Sequence, residues 1–191
     1  MKKQVIRDFF DNFASRWDNE PIADVKIINT ILDNAGIKEN ISVLDVGCGT
    51  GVLFPFYLER GANITAIDLS PEMVKVAKSK FPQVDIICSD AEEISFDKTF
   101  DCIMIYNAFP HFPNPLMLIE NLSKYLNVGG RFTISHGLSK KELDEIHIKS
   151  AGKVSSTLPE CDELGKMLSP YFNVDIMISN DKMYQVSGTK K

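Results

Sequence analysis

Gly47, Gly49 and Gly51 stand at alternate positions directly after the apolar run Val43-Leu44-Asp45-Val46. Glycines so spaced let the backbone adopt angles closed to other residues and let a ligand approach the main chain. Three acids occupy comparable places: Asp45 inside the first apolar run, Asp68 at the end of the second and Asp90 just after the third. A carboxylate there can accept hydroxyl or amide hydrogens in charge-assisted bonds, or face a cation. The chain has three histidines, His111, His136 and His147, all after the fourth or fifth apolar run. Each alone is more commonly a solvated or structurally satisfied ring. Together they suit a general base, an anchor for an acidic substrate, or a metal site.

The elements that must position these residues follow from periodicity. Val43, Leu44 and Val46 form a short buried strand, the glycines a turn, and the segment from Val52 to Arg60, closed by Gly61, a helix. Further strands are predicted at 63–69, 84–89, 100–106 and 130–135, with helices near 71–81 and 115–127. Strands alternating with helices imply a parallel sheet covered on both faces. Upstream, Val5, Phe9, Phe13 and Trp17 or Arg16 fall at helical spacing, and Pro21 opens a second helix that ends near Gly36. Downstream, 138–148 and 158–169 read as helices. Strands 172–179 and 182–189 then flank Asn180-Asp181, a connection too short for a parallel crossover, so the sheet closes with an antiparallel hairpin.

With 191 residues, 44% of them hydrophobic, the chain is sized for one α/β domain. The expected parts are N-terminal helices over 1–36, a binding core over 41–135, a helical substrate-side insertion over 136–170 and the closing hairpin over 171–191. A formal net charge of -5 disfavours nucleic acid and anionic membrane as partners, because phosphate binding needs clustered Lys and Arg. A small-molecule partner is expected; oligomeric state is open. The first residues, Met1 to Asp8, run into charged side chains instead of a long apolar stretch, and no apolar run approaches about 18 residues, which predicts a cytoplasmic protein without a membrane span. Cys48, Cys88, Cys102 and Cys161 lie far apart, with no C-x-x-C pair, and read as reduced core thiols.

The spacing of the glycine turn discriminates further. A dinucleotide fingerprint starting at Gly47 requires Gly or Ala at position 52, where Val52 stands, which disfavours an NAD-dependent reductase. The G-x-G-x-G pattern after Asp45, with Asp68, Asp90-Ala91, the Phe100–Asn107 strand, Gly129-Gly130 and the closing hairpin, resembles the class I S-adenosylmethionine (SAM) dependent methyltransferases over most of the chain. It is closest to the small-molecule, quinone-biosynthesis-like branch. The resemblance implies a Rossmann-like three-layer α/β sandwich with a seven-stranded, mostly parallel sheet, and SAM as cofactor.

Carried over residue by residue, the resemblance implies that Asp68 accepts the ribose hydroxyls, with capping of the helix at Ser70-Pro71-Glu72 as its alternative role. Leu69 and Met73 flank the adenine, and Asp90 with the Ala91 amide reads its edge. Asp45, Gly47, Cys48 and Gly49 face the methionine end, and Trp17 and Asn107 complete the cofactor set. Phe9-Phe-Asp-Asn-Phe-Ala-Ser-Arg-Trp-Asp18 resembles the N-terminal helix of small-molecule methyltransferases that lids the cofactor, although an aromatic stripe is also ordinary core.

The Asn/Asp-Pro-Pro-Tyr signature of adenine and glutamine N-methyltransferases is absent at Tyr106-Asn107-Ala108-Phe109. The four cysteines do not reproduce the arsenite methyltransferase set. The expected function is therefore methyl transfer from SAM to an O, N, S or C atom of a small molecule, with His111, His136 and His147 as candidate catalytic residues. The competing readings are a non-catalytic binder of SAM or its demethylated product, and a methyltransferase with a metal held by the histidines.

Overall fold

The computed structural model describes residues 2–19, 24–146 and 154–191. One mixed sheet organises them. Its strands are β1 (Ser42–Val46), β2 (Asn63–Asp68), β3 (Asp85–Cys88), β4 (Phe100–Tyr106), β5 (Leu126–His136), β6 (Phe172–Ser179) and β7 (Tyr184–Lys190), in the order β3-β2-β1-β4-β5-β7-β6. β1 to β5 pair parallel, while β7 lies antiparallel between β5 and β6. The expected seven-stranded sheet with an antiparallel closing hairpin is the one observed. The hairpin turn is held by Asn180, whose Oδ1 accepts from the amides of Lys182 (2.9 Å) and Met183 (3.0 Å). For that reason β7 starts at Tyr184 rather than at Lys182.

Alternation along the strands builds two cores. On β4, Ile103 and Ile105 face one side and Cys102, Met104 and Tyr106 the other. The first side packs on α5 (Pro115–Ser123) and α7 (Cys161–Leu168) through Leu118, Leu122, Leu164 and Leu168. The second packs on α2 (Val25–Asn34), α3 (Phe54–Glu59) and α4 (Pro71–Lys80) through Ile28, Leu32, Tyr57, Val74 and Ala77. Hence β4 is continuously apolar from Cys102 to Tyr106, as a strand covered on both faces must be.

Several boundaries differ from expectation, each for a local reason. The N-terminal helix α1 covers Lys3–Phe13 and then tightens to a 3-10 segment, Ala14–Asn19, rather than continuing as α-helix to Trp17. Pro21 lies outside the described residues. α2 begins at Val25 because Asp24 caps it, accepting from Lys26 N at 2.8 Å. β5 starts at Leu126 and not at Gly130, and the helix before it stops at Ser123. Phe100 pairs with Leu126 and Cys102 with Arg131, so β5 bulges across Gly129 and Gly130. A Cβ on Gly130 would stand 2.9 Å from the carbonyl oxygens of Asn127 and Asp101. α6 is described over Lys140–Ile146, and α7 starts at Cys161, where Glu160 and Glu163 form a capping box. Among the described residues no helix is long and apolar enough to cross a membrane. The four cysteines are unbridged; Cys48 and Cys102 are core, whereas Cys88 is exposed on the edge strand and Cys161 half-buried.

Candidate active site

The glycine turn closes onto the neighbouring strand. Gly47 and Cys48 both donate to the Ile67 carbonyl, at 2.8 and 3.1 Å, and Gly49 donates to Asp68 Oδ2 at 2.8 Å. Gly47 (φ +71°) and Gly49 (φ +55°) hold left-handed angles. A Cβ on Gly47 would come within 2.8 Å of Ala108 Cβ, so glycine is required there for packing as well as angle. Around this turn lies a cavity of about 260 Å³ at the carboxyl ends of the parallel strands, where open α/β sheets bind ligands.

Of the expected cofactor residues, Trp17, Asp45, Gly47, Cys48, Gly49, Asp68, Leu69, Met73, Asp90, Ala91 and Asn107 all line this cavity. Asp45 is 2% exposed, and burial, with the neighbouring Asp68, pushes its carboxyl up to about 8. Burial also raises Asp68, opposed by the amides of Ser70 and Gly49 that donate to it. The cap of α4 is Ser70 itself, whose Oγ accepts from Met73 N at 3.1 Å, so Asp68 is not the capping residue. With one amide on each oxygen, the Asp68 carboxylate keeps lone pairs for further donors.

Asn107 takes a left-handed angle (φ 54°), and its Oδ1 accepts from Gly137 N at 3.0 Å, tying the ends of β4 and β5 together. Burial and nearby Asp68 and Asp45 push the Cys48 thiol well up, which keeps it a protonated thiol.

Spatial neighbours missed in the sequence complete the wall. Lys3 of α1 reaches Asp90 (2.5 Å), Glu93 (2.8 Å) and Glu92 (3.0 Å). Burial opposes its charge, but hydrogen bonds to Asp90, Glu93 and Glu92 outweigh this and hold the ammonium above its usual range. Glu92, 3% exposed, also accepts from Asn114 N (2.7 Å) and Nδ2 (2.9 Å), joining the loops after β3 and β4. Asp11 binds Ser70 Oγ (2.5 Å), and Asp18 binds Thr50 Oγ1 (2.6 Å) and Lys80 Nζ (2.8 Å). The N-terminal segment is thereby fastened to the loop after β3, the start of α4 and the glycine turn. Apart from the charge alternation of α1, no sequence signal marks these pairs, because their partners lie far away along the chain.

The histidines divide. His111 lines the cavity, edge-on to Phe10 with centroids 4.9 Å apart. Its Nδ1 stands 2.9 Å from the Val154 carbonyl and 3.1 Å from Ser155 Oγ. A carbonyl only accepts, so Nδ1 carries the hydrogen, and in the neutral ring Nε2 is the basic nitrogen. His136 ends β5, 1% exposed, 6.1 Å between centroids from Tyr184, and does not line the cavity. Its place in the strand register, opposite Tyr184, turns it into the sheet's interior. His147 lies outside the described residues. Among the described residues no group of His, Cys, Asp or Glu is arranged to hold a metal ion.

A seven-stranded sheet with β7 inserted antiparallel, a glycine turn after β1, acids near the ends of β1 and β2 and an acid at the start of the loop after β3 define the class I methyltransferases, the family that works with SAM. The chain belongs to it. The family profile described as a methyltransferase domain matches residues 44–134.

Malonyl-[acyl-carrier protein] O-methyltransferase of Priestia megaterium is 33% identical over 145 residues, covering 71% of this chain and 52% of that protein. Ubiquinone biosynthesis O-methyltransferase of Xanthomonas oryzae pv. oryzae is 33% identical over 144 residues, covering 67% and 59%. The chain therefore spans about half the length of these curated relatives. In fold it is similar to the methyltransferase solved with the Trm112 activator of Haloferax volcanii (TM-score 0.80, 18% identity, 97% of each chain). The magnesium protoporphyrin IX methyltransferase of Synechocystis PCC 6803, solved with bound S-adenosylhomocysteine, is also similar (TM-score 0.77, 17% identity, 100% of each chain).

The cavity residues fit the cofactor this family uses. Asp45 is a buried acid that no described group donates to, and it calls for a cation; Gly49 brings bare backbone to the wall.

Proposed function

We propose that the chain transfers the methyl group of SAM to an oxygen atom of a small-molecule acceptor by in-line displacement. The observation that carries this reading is the single cavity wall on which Asp45, the Gly47–Gly49 backbone, Asp68 and Asp90-Ala91 stand together with His111. SAM, when bound, supplies an electrophilic methyl group on a positively charged sulfur. Asp45 and the glycine turn would hold its amino-acid end, Asp68 its ribose, and Asp90 with Ala91, between Leu69 and Met73, its adenine. The oxygen preference draws on two relatives, both named as O-methyltransferases.

Phe10, Tyr106 and Phe112 give the acceptor side aromatic surface, suited to an uncharged ring or chain. His111 Nε2 takes the acceptor's hydroxyl proton, and the Val154 carbonyl keeps the ring in the tautomer that can do so. Fixing the two reactants in line is worth roughly 7–11 kcal/mol, the larger share of what such a site contributes. The α1 segment, clamped by Lys3, Asp11 and Asp18, excludes the water that would compete as acceptor.

Calorimetric titration with SAM, followed by a methyl-release screen over phenols, alcohols, carboxylic acids, thiols and amines, tests both halves of the reading. Micromolar SAM binding with turnover on hydroxyl compounds is expected. No SAM binding would overturn the cofactor assignment, and turnover confined to thiols or amines would overturn the acceptor assignment.

A further inference from the structure

Asp45 is buried beside a second acid, Asp68. It is the penultimate residue of β1, paired with Ala66 of β2 and Met104 of β4, 2% exposed, and lines the cavity. Asp68 on β2 acts on it, and Asp45 in turn acts on Cys48 in the glycine turn, Tyr57 on α3 and Cys102 on β4. Each of these is negative when ionised, and none is a cation. The cation that reaches this neighbourhood, Arg131, acts on Cys102 and is paired to Asp175 at 2.7 Å. Lys3, the lysine on the cavity wall, is committed to Asp90, Glu92 and Glu93. No described group donates a hydrogen bond to the Asp45 carboxyl. An ionised carboxylate without donor or counter-charge is not stable in such a place; it stays protonated until a cation arrives.

We propose that Asp45 is a neutral carboxylic acid in the ligand-free protein and exchanges its proton for the positive charge of the cofactor, so that each SAM bound releases a proton to solvent. The exchange balances simply: the Asp45 O–H bond breaks, the proton goes to the buffer, and the carboxylate left behind is compensated by the ligand's charge. The inference rests on the SAM reading above and adds what that reading lacks, a pH dependence of cofactor capture. A carboxyl raised to about 8 is about nine-tenths protonated at pH 7, so nearly a full proton is available for release there. Below that pH, cofactor affinity rises by up to about tenfold per pH unit.

The test is calorimetry of SAM binding at pH 7 in phosphate and in Tris, whose ionisation enthalpies differ, on the wild type and on Asp45→Asn. The difference in protons released between the two proteins isolates Asp45, because titration of the ligand's own amine is common to both. The expected result is about 0.9 proton more from the wild type, and a wild-type affinity that rises about five- to tenfold from pH 6 to pH 7 while that of D45N stays flatter. Equal proton release from the two proteins, or a wild-type heat that does not change with buffer, overturns the proposal.

If D45N does not fold, infrared difference spectra of the wild type decide instead: a protonated-carboxyl band lost on SAM addition supports the exchange, and an unchanged spectrum overturns it. SAM failing to bind the wild type at any pH is a separate result, which removes the cofactor reading itself.

Discussion

The two ends of the cavity are built in different ways. The cofactor end is backbone-held and contiguous: β1, the glycine turn and the ends of β2 and β3 supply it, and Gly47, Cys48 and Gly49 are pinned by amide bonds to Ile67 and Asp68. The end proposed for the acceptor is held by side chains from remote segments. Phe10 comes from the N-terminal helix, His111 from the loop after β4, and the Val154 carbonyl from the connection between α6 and α7. The carboxyl ends of the strands fix one ligand through backbone geometry that many side chains cannot perturb, whereas the opposite rim can be rebuilt residue by residue to suit another acceptor.

That contrast can be broken by substitution. His111→Ala is expected to lower turnover on a hydroxyl acceptor by roughly 100- to 10,000-fold while leaving SAM affinity within about twofold. Paired calorimetry and steady-state kinetics check this, and an equal loss in both would erase the division between the ends. Asp68→Ala is expected to weaken SAM by roughly 10- to 100-fold, the worth of charge-assisted hydrogen bonds, and to loosen the Gly49 amide. The cofactor assignment is falsified if Asp68→Ala leaves SAM affinity unchanged.

Lys3→Ala removes the clamp between α1 and the acids at 90, 92 and 93. Partly exposed pairs are weak, so stopped-flow SAM release should quicken by roughly two- to fivefold and no more.

The smallest effect concerns pH and stability. Asp45 has a folded value raised above that of an unfolded carboxylate, so its contribution is fully present below about pH 4 and is lost as pH rises toward about 8. Between pH 5 and pH 8 the ligand-free wild type should lose several degrees of melting temperature relative to Asp45→Asn. Saturating SAM should flatten the difference.

Much of the fold was legible because its signals are local. Val43 to Gly51 carries strand, turn and helix start within a few residues, and the Asn180-Asp181 connection is too short for anything but an antiparallel return. Where a boundary was misread, the deciding contact was non-local. β5 begins at Leu126 because Phe100 of another strand pairs with it across a glycine bulge. His136 and His111 look alike in sequence, each following an apolar strand, yet one ends in the sheet against Tyr184 and the other on the cavity wall.

By itself the sequence determined the order of strands and helices, the glycine turn and the acids at 45, 68 and 90, since strand alternation and turn chemistry are written in neighbouring residues. Only the tertiary structure decided that Lys3 meets Asp90, that Val154 sets the tautomer of His111, and that Asp45 is buried beside Asp68. Those are contacts between segments brought together by burial of the two cores. Their energies depend on distance and desolvation, quantities that exist only once the chain has packed.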